Sequence, residues 1–407
     1  MAEFSLIEKE LLWENRRRYS LAKSEMKRRW DAVRKRMGEK GIDYLLIQSQ
    51  QRFVSGYLRW FTDTPGNNNL ITAVFPLDDE MSMISHGAPA TLPPDPIDRG
   101  VKERIIVPAF PNIYWQDGLH AEKAAEVMSR TKPKKVGLVG LGNTSAALSD
   151  NIRKYMPGAE VVNATDLVDE VRMVKSEEEL RLMRQAAQMH EMTWETAKNA
   201  IRPGRPAYEV VRELQVAQLI AGSEEQQIGI TFGPFGASTY GQGARGNFTK
   251  RPFKKGDVIS MLLVESSAPG GYWYDMRRLA CIGSVPKEMQ EAYDIVKEAR
   301  RIMAENLKAG VKPGVALDAN DAYMKSKGLP PEPRVGGHGQ GYALVERPLI
   351  HRDEPAKLEN NMIVIAHPTA FTKKINASIS DNLVVTSSGA VPIYKELFDD
   401  DEIAVVG

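Results

Sequence analysis

Residues 253–283 read FKKGDVISMLLVESSAPGGYWYDMRRLACIG. Gly256-Asp257 is a turn, an apolar run follows, Ser-Ser-Ala-Pro-Gly-Gly breaks it, and an aromatic-rich run returns. Two such runs around a turn-forming stretch make a β-hairpin. Side chains alternate faces along a strand, so Tyr272, Tyr274 and Met276 share one face while Trp273, Asp275 and Arg277 share the other. Asp275 and Arg277 are therefore expected in one cavity. Glu265 closes the outgoing strand and is a third polar member of the hairpin.

Downstream, GGHGQGYALVERP (336–348), LENNMIVIAHPTAF (358–371) and NASISDNLVVTSSG (376–389) read as further strands and turns. His338 and His367 stand where strand meets loop or bulge, a place where functional side chains are commonly held. The glycines around His338 are expected to admit a substrate or another backbone. Upstream, KSEEELRLMRQAA (175–187) carries a capping box, Ser176 and Glu179, and opens a long helix, so the domain boundary is placed near residue 170. AIRPGRPAYEVVREL and AGVKPGVALDANDAYM each follow a helix with Pro-Gly and then start another, with Pro203 and Pro313 110 residues apart. Two related halves would place a site between their sheets.

The first 170 residues alternate short apolar runs (DYLLIQ, NLITAVFPL, KKVGLVGLG) with helical segments, an α/β pattern. Met26, Trp30, Val33 and Met37 form the apolar stripe of a helix ending at Gly38 or Gly41, with its arginines expected on the wet face. GLGNTSA lacks the third glycine of a dinucleotide loop and reads as a plain strand-to-helix turn with Ser145 at that place.

With 407 residues, 42% hydrophobic and 26% charged, the chain suits two globular domains. The 54 Lys and Arg nearly balance the 53 Asp and Glu, which argues against nucleic acid or an anionic membrane as partner and for a small molecule. One cysteine, Cys281, forms no internal disulfide and builds no thiolate cluster. The N-terminus lacks a signal-peptide core and no run is long enough to span a bilayer, so a cytoplasmic location is expected.

From about residue 170 onward, the series KSEEELRLMRQAA, KKGDVISMLLVE, GGYWYDMRRLACIG, GGHGQG, NMIVIAHP and DNLVVTSSG resembles the pita-bread fold of the creatinase, prolidase and aminopeptidase P (M24) family. YLLIQSQQRFVSGYLRW (44–60) is similar to the start of that family's smaller domain. The resemblance implies an α/β (α+β) chain of two domains, a creatinase-like domain over 1–170 and a pita-bread catalytic domain over 171–407. It also implies a homodimer in which Arg52, Arg59 and Trp60 of one subunit help close the other's site, although a core role suits Trp60 better.

Peptidases of the family hold two metals with Asp, Asp, His, Glu and Glu. Their places are expected at Leu262, Asp275, His338, His367 and Ser380. Leucine does not ligate and serine is a poor bridging ligand, which excludes the two-metal site. Asp275, His338 and His367 remain and suit one Zn, Mn or Fe ion. The preferred expectation is that no cofactor is needed and that His338 and His367 pass protons, as in metal-free creatinase. Creatinase's guanidinium-binding glutamates fall on Arg277 and His367, which reverses the sign of the pocket and suits a substrate carboxylate. For Arg277, a surface salt bridge with Asp275 is the competing expectation. The family's upstream histidine is missing from GPFGASTYGQGARGNF, where Arg245 and Gln242 are nearest.

The expected function is that of a creatinase-like, non-peptidase hydrolase (or lyase) of small-molecule catabolism. It would cleave a C–N or related bond in a small anionic molecule, with His338, Asp275, Glu265, His367 and Glu346 as catalytic candidates. Arg277, Arg245, Tyr272, Arg59 and Trp60 are the substrate-binding candidates. The rivals are a mononuclear metalloenzyme on Asp275, His338 and His367, and an inactive pita-bread binding module.

Overall fold

The structure is a computed structural model that describes residues 21–49, 56–65, 69–94, 98–110, 113–236, 250–372 and 374–407. The chain divides into two compact units, one ending at Arg172 and one spanning Met173–Gly407.

In order, the first unit contains α1 (Lys23–Lys40), β1 (Tyr44–Ser49), α2 (Gly56–Thr62), β2 (Ile71–Pro76), β3 (Met81–His86), β4 (Ala90–Leu92) and β5 (Val101–Val107). It continues with α3 (Tyr114–Ser129), β6 (Lys135–Val139), α4 (Ala146–Tyr155), β7 (Glu160–Asn163) and α5 (Thr165–Arg172). Its strands form one mixed sheet ordered β4-β5-β3-β2-β1-β6-β7. Met26, Val33 and Met37 are buried along α1, and the helix ends at Gly41 in the left-handed conformation that glycine adopts without a Cβ penalty. Ser145 caps α4 by accepting from Leu148 N, which makes GLGNTSA a strand-to-helix turn. The arginines of α1 are not all on a wet face. Arg29 is fully buried, donates to Glu25 at 2.7 Å and to the Trp60 carbonyl at 3.1 Å, and lies over the Trp60 ring. A guanidinium tolerates burial when its donors are taken up in this way.

The second unit opens with α6 (Glu177–Ala200), where Ser176 and Glu179 exchange both capping-box bonds. After Pro203-Gly204 comes α7 (Ala207–Ile220), then β8 (Glu225–Pro234), β9 (Asp257–Ser267) and β10 (Trp273–Ile282). The pattern recurs with α8 (Lys287–Asn306), Pro313 and α9 (Gly314–Ser326), followed by β11 (Gly337–Gly339), β12 (Glu346–Leu349) and β13 (Ile363–Ala366). Next come β14 (Thr369–Phe371), β15 (Asn376–Ser378), β16 (Asp381–Val385), β17 (Ala390–Pro392), α10 (Lys395–Asp399) and β18 (Ala404–Val406). The sheets are ordered β18-β10-β9-β8 and β12-β11-β13-β16-β17, with β14-β15 as a separate pair. Met303, Leu317, Ile350, Val364, Leu383 and Val385 fill the core beside the five-stranded sheet, while Leu279, Cys281, Tyr293 and Ile379 pack beside the four-stranded one.

Two features hold the site-bearing strands. Asp381 is fully buried between Arg278 (2.7 Å) and Arg300 (2.6 Å), and the Arg278 guanidinium also donates to the Ser380 and Leu397 carbonyls. The glycines flanking His338 make room for protein rather than substrate. A Cβ on Gly337 would land on the Ile365 carbonyl, and one on Gly339 on the Arg347 carbonyl. Of the two visitors expected there, the neighbouring backbone is the one present.

Candidate active site

The hairpin register runs unbroken from Trp273 opposite Ser267 to Arg278 opposite Leu262. Directly paired residues share a face, so Asp275, Arg277, Glu265 and Leu263 lie together. Leu262 pairs with Arg278 on the opposite face, which corrects its expected place beside Asp275. The side chains that do accompany Asp275 are Leu263, which is apolar, and Glu265.

From the five-stranded sheet, β11 brings His338 and the end of β13 brings His367. The two imidazoles meet edge to face with centroids 4.8 Å apart. Ligand atoms of Asp275, His338 and His367 all lie within 4.8 Å of one another, and all three residues are buried. Asp275 Oδ1 accepts from Ser380 Oγ at 2.6 Å. Asp275 Oδ2 and His367 Nε2 are 3.4 Å apart, at the outer edge of hydrogen bonding, and among the described residues neither has a hydrogen-bond partner. His338 Nδ1 lies 2.8 Å from the Gly339 carbonyl. A carbonyl only accepts, so Nδ1 carries the proton and the neutral ring keeps a lone pair on Nε2.

Two buried lone-pair positions and a free carboxylate oxygen converge, and the donor set of two imidazoles and one carboxylate suits a single Zn, Mn or Fe ion. The residues present therefore fit one metal. They do not fit two, because the Ser380 hydroxyl is donated to Asp275, Leu263 is apolar, and Glu265 lies outside the clustered ligand atoms.

Electrostatics separates the two carboxylates of the hairpin. Burial raises the Asp275 pKa, but the adjoining His367, Arg277 and His338 outweigh it and hold the group below the carboxylate range. Glu265 is pushed up to about 8, by burial first and then by the Asp275 charge, with Arg277 opposing. One carboxyl is thus ionised and its neighbour protonated at neutral pH. Burial and then the Arg277 charge pull His367 down to about 3, and burial lowers His338 as well. Desolvation thus disfavours the charged form of both rings.

Arg277 has no ion pair within 4 Å among the described residues, and its buried Nε has no acceptor. The expected salt bridge with Asp275 is absent among them. Glu346 is engaged elsewhere, 3.2 Å from Lys175 Nζ and accepting from Ala343 N. Tyr272, just before β10, is turned elsewhere: it is 1% exposed, donates to Glu179 at 2.9 Å and packs on Tyr342. In the first unit Trp60 is a core residue against Phe61, and Arg59 is buried with its charge acting on Asp63. Arg52, Gln242 and Arg245 lie outside the described residues.

Three residues have supporting roles that carried no expectation. Ser380 is a donor to Asp275 as well as an absent ligand; Asn382 Oδ1 accepts from Asp275 N at 3.2 Å; and Gln340 Oε1 accepts from Asn382 Nδ2 at 2.5 Å. The signal available was polar side chains inside strands too apolar to leave them unpaired.

The profile of metallopeptidase family M24 matches residues 181–387, half of the chain, and that of the creatinase/prolidase N-terminal domain matches residues 29–174. The chain belongs to metallopeptidase family M24. A putative dipeptidase of Bacillus subtilis is 26% identical over 62% of this chain and 68% of its own length. A creatinase of a Bacillus species is 23% identical over 92% of both chains. The crystal structure of an X-Pro aminopeptidase from Thermotoga maritima covers 93% of this chain and 99% of its own with a TM-score of 0.73 at 18% identity, a likeness of fold. Among the described residues no helix is long and apolar enough to cross a membrane.

Proposed function

We propose that this M24 protein is a hydrolase that cleaves a C–N bond in a small carboxylate-bearing molecule at a centre holding one divalent metal ion. The observation that carries this reading is the convergence of Asp275 Oδ2, His367 Nε2 and the His338 ring beside Arg277, which has no ion pair among the described residues. An ion held there supplies Lewis-acid polarisation of the bond to be broken. Arg277 grips the carboxylate with its planar fork and so fixes the substrate's orientation. Asp275, ionised and held by Ser380, would present Oδ2 to the ion beside His367 Nε2. Glu265, protonated at neutral pH and on the same face, donates its proton to the leaving nitrogen as the C–N bond breaks, and its carboxylate takes a proton back from the water whose hydroxyl adds to the carbon. The expected metal-free route asks His338 and His367 to take up protons, which their burial opposes.

Both an amide of a dipeptide and a guanidino or ureido C–N bond fall within this chemistry. The names of the relatives, dipeptidase and creatinase, span the same two kinds. The test is metal analysis of protein purified without added metal, together with hydrolysis of dipeptides, N-acyl amino acids and guanidino acids before and after chelation. One ion per chain, lost in His367→Ala together with activity, is the expected result. Turnover that survives chelation, in protein free of metal, overturns the reading and returns the imidazoles to acid–base work.

A further inference from the structure

Strands β9 and β10 are buried along their whole length except at three side chains: Met261, Leu263 and Arg277. Their positions are not scattered. Leu263 is paired directly with Arg277, and Met261 follows two residues along the same face. The next row of that face holds Asp275 opposite Glu265. On its other side Leu263 is paired with Gly229 of β8, which contributes no side chain to the surface. The inner face of the hairpin thus offers, from one row to the next, a pair of carboxyls, then a cation with no ion pair among the described residues and leucine beside it, then methionine.

We infer that Met261 and Leu263, with Gly229 leaving space beside them, form the apolar floor of an acid-binding subsite anchored by Arg277, and that the preferred substrates carry a branched aliphatic or aromatic group next to their carboxylate. The inference rests on the reading of Arg277 as the carboxylate anchor. Its logic is that of distances in a sheet. Leu263 is one strand away from Arg277, roughly 5 Å, and the Asp275 row is two residues away, roughly 7 Å. An acid gripped by Arg277 therefore sets its neighbouring substituent on Leu263 while the bond beyond reaches the Asp275 row. A hydrophilic acid of equal size would cover the same apolar side chains without the gain from removing them from water.

The experiment compares three inert acids on the full chain by isothermal titration: acetate, 3-methylbutanoate and malonate. In the native protein 3-methylbutanoate is expected to bind at least about tenfold more tightly than acetate, as partial burial of its added carbons requires, and malonate no more tightly than acetate. Leu263→Ser is expected to reduce that preference to less than about threefold, the loss falling far more on 3-methylbutanoate than on acetate, and Leu263→Met to restore it. Loss of general packing would not produce this split. Arg277→Gln is expected to weaken all three acids. If native protein binds acetate and 3-methylbutanoate equally, both dependent on Arg277, the apolar floor is wrong and the anchor stands. If no acid binds in a manner sensitive to Arg277→Gln, the anchor and the floor both fall.

Discussion

Replacing Ser380 with alanine isolates the support of Asp275 from its ligand role. The Ser380 hydroxyl donates to Asp275 Oδ1 at 2.6 Å, both residues are fully buried, and the serine offers no carboxylate of its own. Hydrogen bonds to charged groups contribute about 1.5–3 kcal/mol, and Ser380→Ala leaves a buried anion short of one donor. The catalytic unit spans 235 residues, Met173 to Gly407. A domain of that size loses roughly 2–4 °C of melting temperature per kcal/mol, so a fall of about 3–12 °C is expected in chelator-treated protein. The second effect is on the ion. Groups that orient a ligand typically change metal affinity by about 10–100-fold, and a carboxylate freed at Oδ1 would rotate away from the position that presents Oδ2 to the imidazoles. Competition with a chromophoric chelator measures this affinity directly, with Co(II) or Zn(II) as the ion. Ser380→Cys, a weaker donor of similar size, should fall between alanine and the native chain. An alanine variant that keeps both its melting temperature and its metal affinity, within about threefold, would refute the claim that Ser380 positions Asp275.

Other outcomes follow from equally local geometry. Gly339→Ala drives a Cβ into the Arg347 carbonyl and should cost more than about 3 kcal/mol or abolish soluble expression, as read by thermal melting. Asp381→Asn removes the charge that pairs two buried arginines and should destabilise the catalytic unit by about 3–5 kcal/mol in urea titrations. His120, fully buried in the first unit, is held down to about 4 by burial and then by His86, against an ordinary value near 6.5. The unfolded chain takes up this proton first, so stability present above pH 6.5 is lost as pH falls and levels off near pH 4, by up to roughly 3 kcal/mol. His120→Asn should flatten that slope in melts between pH 7 and pH 4; an unchanged slope would reject the assignment.

What could be read from the sequence was whatever depends on local period and order. The two-residue alternation of β10 placed Asp275 and Arg277 together, and the capping box located the start of α6, because both are set by neighbours in the chain. Cross-strand register was not readable in the same way. Leu262 was assigned by motif order to a place beside Asp275, yet a shift of one residue sends a side chain through the sheet, and the pairing puts Leu263 there instead. Tyr272 reads as a pocket residue from its motif, but its hydroxyl is taken by Glu179, 93 positions away. Arg29 fails for the same reason: a basic residue beside an apolar stripe reads as wet unless Glu25 and the Trp60 carbonyl are known to meet it. The pKa order of Asp275 and Glu265 depends on burial and on charges from β10, β11 and the residue after β13, so composition carries no trace of it.

The exchanged residues make sense together once charge is counted. The ligand set that the family resemblance implies, two Asp, one His and two Glu, brings four negative charges to two dications. Here the ligand set brings one, from Asp275, and Arg277 on the same face cancels it. Two dications would leave four uncompensated positive charges in a buried site, a cost that no hydrogen bond among the described residues offsets. One dication leaves two. A substrate carboxylate on Arg277 reduces that to one, and Glu265 reaches neutrality for the whole site when it gives up its proton. Under the proposed function, the missing carboxylate ligands and the arginine that is present form one arrangement: the substrate brings the anion that the protein does not supply.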